Sequence, residues 1–299
     1  LGNGFIGVRG SFEEGRPVLS PGTFVNGFHE TWPIVHAEEA HALARTGQTM
    51  VNVPDATILK LYVDDEPLFL PTARVRDYTR VLDMRAGTLT REFVWVTAGG
   101  KHVRVRSCRI VSLENRHVIA MTYEVTLLDH PAPIAISSQV VNRQDTRAAD
   151  ERPEWKRRDP RLATVLPRRV LNARATEHAD RRILLGYQTT NSRMTLAVGV
   201  DHVIDAACPY QVTGSVDDDT GELVLTADVP PGIPVRITKY ATYQASRSIP
   251  VPELVDRCRR TLDRMIRDGF DVLVTKQREH LDRFWDRADV RVEASTIPV

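Results

Sequence analysis

Between Thr57 and Val141 the apolar residues fall in short runs, many alternating with polar ones, and the helical period is absent. Ile58–Val63 and Pro67–Leu70 flank the acidic turn Asp64-Asp65-Glu66, a hairpin-like unit. Tyr78–Met84 reads as a strand. Leu89–Thr97 sets Phe93, Trp95 and Thr97 against Val94 and Val96, and Gly99-Gly100 makes a hairpin turn. In His102–Val111, Val103 and Val105 alternate with Arg104 and Arg106, as in a strand with one solvated face. Val118–Leu127 and Ile134–Val141 follow. Strand character returns at Ile183–Gln188, Met194–Val200, Glu222–Ala227 and Pro234–Tyr243. Strands at roughly ten-residue spacing, with turn chemistry between them, predict an all-β sandwich or barrel.

After Pro250 the period changes. Leu254, Cys258, Leu262 and Met265/Ile266 share one face, and Leu273, Gln277, Leu281 and Phe284/Trp285 continue at helical spacing beyond Gly269. With Pro252 at the start and Gly269 at the break, the pattern predicts two amphipathic helices over 251–268 and 270–286. Each needs a surface on which to bury its stripe. At the other end, residues 1–55 are dense in Gly and Pro, which predicts loops and short strands. Residues 143–182 carry 12 Arg and Lys against 7 Asp and Glu, with Trp155 their one aromatic residue. That mixture reads as a solvated excursion rather than a nucleic-acid surface.

Composition narrows the classes. Over 299 residues, 40 basic side chains balance 39 acidic ones for a net charge of +1, so no polyanionic partner is called for. At 42% hydrophobic and 26% charged the chain is globular rather than disordered. No apolar run approaches the ~20 residues that span a bilayer. Cys108, Cys208 and Cys258 form neither a disulfide framework nor a zinc pattern, which points to a reducing, cytoplasmic setting. Lysine supplies only five of the 40 basic residues, a bias read as coding rather than function. A chain that opens at Leu1, with no charged region ahead of an apolar stretch, reads as a fragment without a signal peptide.

Candidate chemistry is sparse. Gly2-Asn3-Gly4-Phe5-Ile6-Gly7 fits G-x-G-x-x-G, but no strand precedes it, and Gly10, Gly15 and Pro17 preclude the helix that must follow. His29, His36, His41, Glu30, Glu38 and Glu39 could offer metal ligands. His36 and His41, however, are five apart and miss the spacing that puts two imidazoles on one helix face, so no metal is expected. The neighbouring carboxylates Glu13-Glu14, Glu38-Glu39 and Asp64-Asp65 read as solvated turns or helix starts, because glycosidic acid–base pairs face each other across a substrate. Ser215–Gly221 reads as a turn and lacks the ligand spacing of a calcium loop. The nucleophile elbow and the P-loop are both missing.

The first third resembles one family closely. Leu1-Gly2-Asn3-Gly4-Phe5-Ile6-Gly7-Val8-Arg9-Gly10, Glu13-Glu14-Gly15 and Gly22-Thr23-Phe24-Val25-Asn26-Gly27-Phe28-His29-Glu30 are similar to the N-terminal region of glycoside hydrolase family 65, which holds maltose, trehalose and kojibiose phosphorylases. Asn52-Val53-Pro54-Asp55, Lys239-Tyr240, Phe284-Trp285 and Asp289-Val290 look like later landmarks of it. The resemblance implies a large antiparallel β-sandwich of the supersandwich, galactose-mutarotase-like type over 1–250 and a helical linker over 251–288. Residues 289–299 would begin the connection to an (α/α)6 barrel that carries the general acid and the phosphate site. No catalytic residue is therefore assigned to this chain.

For the parent enzyme the resemblance implies inverting phosphorolysis or hydrolysis of an α-glucosidic disaccharide such as trehalose or maltose. Inorganic phosphate would be the co-substrate of a phosphorylase, and neither a metal nor an organic cofactor would be needed. The expected partners are the chain's own barrel and the disaccharide, with no nucleic acid and no membrane; a homodimer is left open. On the loop Asn26–Trp32, the side chains of His29, Glu30 and Trp32 are the candidate substrate-binding residues, because aromatic and carboxylate groups suit sugar faces and hydroxyls. The competing readings are a free-standing carbohydrate-binding module and a mutarotase-like epimerase.

Overall fold

The computed structural model describes residues 1–15, 22–36, 38, 41–142 and 169–290. Two antiparallel sheets stack face to face. The larger has eight strands in the order β12 (Leu171–Ala179), β13 (Arg182–Thr189), β14 (Thr195–Ala206), β17 (Pro234–Ser246), β10 (Val118–Leu127), β9 (His102–Val111), β8 (Thr88–Val96) and β7 (Arg74–Asp83). The smaller runs β15 (Tyr210–Val216), β16 (Thr220–Val229), β11 (Ala132–Val141), β5 (Asp55–Val63) and β6 (Glu66–Pro67). The chain is thus mainly β, a large antiparallel sandwich with two helices at its C-terminal end, as its periodicity predicts.

Period-2 alternation sets the registers. On β10, Ile119, Met121, Tyr123, Val125 and Leu127 point inward and are buried, while Thr122, Glu124 and Thr126 face outward. Leu61, Ile136 and Leu225 of the smaller sheet meet them in one continuous core with Phe93, Trp95 and Tyr187. The unbroken run Val118–Met121 marks where both faces of β10 are covered: outward-pointing Val118 and Ala120 lie in a second core with Ile110, Leu184, Ala197 and Tyr240. The helices cover that core from outside.

The first helix, Val251–Asp268, lays Leu254, Val255, Cys258, Leu262 and Met265 on this patch. Gly199 makes the approach close, since a Cβ there would come within 2.7 Å of Leu184 and 3.0 Å of Leu262. Gly269, at φ +81°, donates its N–H to Met265 O at 2.9 Å and turns the chain into the second helix, Phe270–Ala288. Neither helix is long and apolar enough to cross a membrane.

The hairpin turns keep their predicted chemistry. Asp64 and Asp65 both take positive φ between β5 and β6. Gly100, at φ +83°, closes the β8–β9 loop by donating to Thr97 O.

Several expectations need correction. The excursion expected over 143–182 is a strand over Leu171–Ala179; residues 143–168 lie outside the described residues. As an edge strand β12 leaves most of its side chains in water, so it carries no apolar alternation to read. β15, which sequence spacing leaves unassigned, alternates half-buried Tyr210, Val212 and Val216 with exposed Gln211, Thr213 and Ser215. The Gly-rich region holds short strands, as expected of it: β1 (Ile6–Val8) paired with β2 (Thr23–Val25), and β3 (His29–Pro33) paired with β4 (Thr46–Met50). Glu13 and Glu14 are not solvated: both are buried.

Candidate functional site

The opening Gly-Asn-Gly segment serves as an anchor. Asn3 accepts the N–H groups of Phe5 and Ile6 on Oδ1, at 3.0 and 2.8 Å. Its Nδ2 donates to Ser112 O and Arg116 O at 2.6 and 3.0 Å, tying the start of the chain to the β9–β10 turn. The backbone then enters β1 rather than a helix, which removes the geometry a dinucleotide phosphate requires.

From this anchor the chain carries Glu13 and Glu14 between the sheets. Glu14 receives a bidentate pair from Arg91, Nη1 to Oε2 at 2.9 Å and Nη2 to Oε1 at 2.7 Å, and Tyr123 donates to Oε1 at 3.3 Å. Glu13 lies 3.0 Å from Arg109 Nη2 and 2.7 Å from Arg91 Nη2. Burial alone would raise the Glu13 pKa, but Arg109 and Arg91 hold it below the ordinary carboxylate value. Burial and the Glu14 charge push Tyr123 well above 10.0. These carboxylates are committed to guanidinium groups and are closed to solvent. Nothing in their sequence context separates two such glutamates from a surface turn.

The loop expected to meet sugar divides its three candidates. Gly27 takes φ +77°, and His29 places Nδ1 3.0 Å from its carbonyl. In β3 successive side chains alternate, so Glu30 and Trp32 share one face while His29 points to the other. Glu30 is fully buried; it accepts the N–H groups of Thr31 (2.8 Å), Asn191 (3.0 Å) and Ser192 (2.7 Å), clamping the β13–β14 turn. Trp32 lies across from Gly47, where a Cβ would sit 2.3 Å from its indole ring. Its Nε1 is buried without a hydrogen-bond partner. His29 is the one candidate that reaches the surface. Of the histidines weighed as metal ligands, His36 sits 2.8 Å from Ala44 O through Nε2.

Two further buried polar groups bridge the sheets. Lys239, on β17, donates to Gln139 O at 2.7 Å and Ile58 O at 3.3 Å, beside the break in β5–β11 register between Gln139 and Val141. Desolvation lowers its pKa from 10.5 to about 7, against the pull of Asp55. His202 takes Arg181 O at 2.8 Å on Nδ1, so its Nε2 accepts the Ser138 hydroxyl at 2.7 Å; burial lowers its pKa to about 3. Neither group is solvent-accessible, and both act as ties between sheets.

The family model for the N-terminal domain of glycosyl hydrolase family 65 matches residues 1–284. The chain belongs to that family. It is 36% identical over 293 residues to the "Uncharacterized glycosyl hydrolase Rv3401" of Mycobacterium tuberculosis (strain ATCC 25618 / H37Rv), covering 98% of this chain and 36% of the relative. It is 31% identical over 301 residues to the alpha,alpha-trehalose phosphorylase of Thermoanaerobacter brockii, covering 98% of this chain and 38% of that enzyme. Among solved structures, the "Putative kojibiose phosphorylase from human microbiome" superposes with a TM-score of 0.75 over 95% of this chain and 35% of its own, at 18% identity, and so shares the fold. This family 65 domain therefore spans little more than a third of the relatives it matches. Two of its landmarks meet in the interior: the hydroxyl of Tyr243 donates to Pro54 O at 2.8 Å and accepts the Ala56 N–H, tying Asn52–Asp55 to β17, the strand that carries Lys239.

Proposed function

We propose that this chain is the non-catalytic N-terminal domain of an inverting phosphorylase or hydrolase of α-glucosidic disaccharides such as trehalose or maltose, with bond cleavage in an (α/α)6 barrel that follows it. One observation carries the reading: nearly the whole chain aligns with little more than a third of a trehalose phosphorylase. Local chemistry supports it. Acid–base cleavage requires two carboxylates facing a substrate, whereas the interior carboxylates Glu13, Glu14 and Glu30 are engaged by guanidinium or peptide N–H groups. In this reading the barrel supplies the acid and binds phosphate, no metal or organic cofactor takes part, and the enzyme works in the cytoplasm.

The hairpin β3–β4 is the proposed sugar-facing edge. His29 is its surface contact, and buried Glu30 and Trp32 set the position of the loop. Exposed Val35, Leu43 and Met50 on the same hairpin fit a surface that is covered by another part of the enzyme.

The test is turnover of trehalose, maltose and kojibiose by the full-length protein, with and without phosphate. β-Glucose 1-phosphate formed only with phosphate indicates the phosphorylase, and glucose without phosphate the hydrolase. Residues 1–290 alone are expected to turn over none of them. Turnover by that fragment, or none by the whole protein on any α-glucoside, would overturn the reading.

A further inference from the structure

The outer face of the smaller sheet carries a groove of about 480 Å³ whose floor crosses four strands in one register row. Tyr62 pairs with Ala135, Ala135 with Thr226, and Thr226 with Gln211. With neighbouring strands about 4.8 Å apart, the row extends roughly 14 Å. Asp228, two residues beyond Thr226 on the same face of β16, and Asp65, in the β5–β6 turn, line its side. One end of the row is an aromatic ring, the middle is a small apolar side chain, and the rest is hydroxyl, amide and carboxylate.

At one end of this groove Arg181 Nη2 donates to the Tyr210 hydroxyl at 3.2 Å, while its other polar side chains are free. Among the described residues, the side chains of Tyr62, Asp65, Gln211, Thr226 and Asp228 have no hydrogen-bond or ion-pair partner. Several surface carboxylates elsewhere pair with an arginine. Glu92 meets Arg106 at 2.8 Å, Glu124 meets Arg236 at 2.7 Å, and Glu177 meets Arg259 at 2.7 Å. In a chain with 35 arginines, two acids in a groove with no lysine or arginine in its lining define its electrostatic character.

That character selects the ligand. A phosphorylated or sulfated molecule is repelled by two carboxylates. A neutral polyol suits them, since carboxylate and amide oxygens accept hydrogen bonds from hydroxyls, and the C–H face of a pyranose packs on a tyrosine ring. A row of about 14 Å suits a short run of sugar rings better than a single one. We propose that this groove is a binding site for a neutral oligosaccharide, with Tyr62 as the stacking platform and Asp65, Asp228 and Gln211 as hydroxyl acceptors. The site stands on groove chemistry and does not depend on where the enzyme breaks bonds.

Isothermal titration calorimetry on the full-length protein tests it, with maltohexaose, isomaltohexaose and cellohexaose as neutral probes and sulfated maltohexaose as the charged one. At least one neutral probe is expected to bind the wild type, and the sulfated probe is not. Tyr62→Ala and Asp228→Asn should each weaken that binding at least tenfold. Asp228 is exposed, so its variant keeps the wild-type melting temperature and remains informative if Tyr62→Ala fails to fold. Binding confined to a centre elsewhere in the enzyme would survive both substitutions. That result, no binding of any neutral probe by the wild type, or equal binding of the sulfated one, would overturn the proposal.

Discussion

At Lys239 an ammonium group lies between two sheets with two peptide carbonyls as its hydrogen-bond partners. Burial disfavours the charged form most, Arg109 adds to it, and the attraction of Asp55 offsets only part. The folded-state pKa of about 7 lies below the 10.5 of the free side chain. Below pH 7 both folded and unfolded chains carry the proton, and the fold bears the whole desolvation cost. Between 7 and 10.5 the unfolded chain holds a proton that the folded chain has lost, so this group makes stability rise with pH. The size is on the order of a few kcal/mol, at ~1.4 kcal/mol per pKa unit. Buried tyrosines such as Tyr243 and Tyr123, whose pKa values are raised, act in the opposite direction above pH 10. Urea unfolding from pH 7 to 9.5 should therefore show stability climbing in the wild type and a flatter profile in Lys239→Met. Parallel profiles would mean that the ammonium is solvated or paired. The distinction lies in burial, which a Lys-Tyr dipeptide in a strand does not announce.

At the scale of elements, the first helix illustrates what a sequence makes legible. Its apolar stripe is continuous, Pro252 and Gly269 bound it, and every stripe residue from Leu254 to Met265 lands on the outer face of the larger sheet. Leu262 is fully buried there over Gly199, so Leu262→Ala should cost about 2–5 kcal/mol, read as a drop in the denaturant midpoint with an unchanged slope. A loss below 1 kcal/mol would show that the helix is loosely seated. The central strands β8, β9 and β10 are legible for the same reason, because one buried face imposes a period of 2. β12 escapes because an edge strand is held by backbone hydrogen bonds while most of its side chains face water; β15 alternates Tyr210, Val212 and Val216 inward, but over only seven residues interrupted by Gly214. In the loop Asn26–Trp32 the three candidate side chains do not share one face. Period-2 alternation places Glu30 opposite His29, and only the fold reveals that the Glu30 carboxylate is filled by the N–H groups of a turn about 160 residues away. Glu13-Glu14 reads as a surface pair because Arg91 and Arg109, the residues that bury it, come from two distant strands.

Among the described residues, the end of the second helix is one place where large apolar side chains stay exposed. Along the second helix, Gln277 reaches Leu113 N–H at 2.8 Å and Leu273 is buried, so the first turns of the helix are docked. Farther along, Trp285 donates Nε1 to Met84 O at 3.2 Å, and Arg85 pairs with Asp289 at 2.9 Å, which brings the β7–β8 turn against the helix end. There Met84 remains 68% exposed and Phe284 47%. Exposed aromatic and thioether side chains near the end of the second helix make a surface that water solvates poorly and another domain can seal. The relatives extend to nearly three times the length of this chain, which provides the material for such a seal. Replacing Phe284 by Glu puts a charge in that contact without touching the sandwich core. In the full-length protein, calorimetry is expected to show one cooperative unfolding transition for the wild type and two for Phe284→Glu, with the transition of the sandwich unmoved. Residues 1–290 alone should bind a hydrophobic dye, and the same substitution should abolish the signal. A single unchanged transition, or dye binding indifferent to position 284, would mean that the face is ordinary surface.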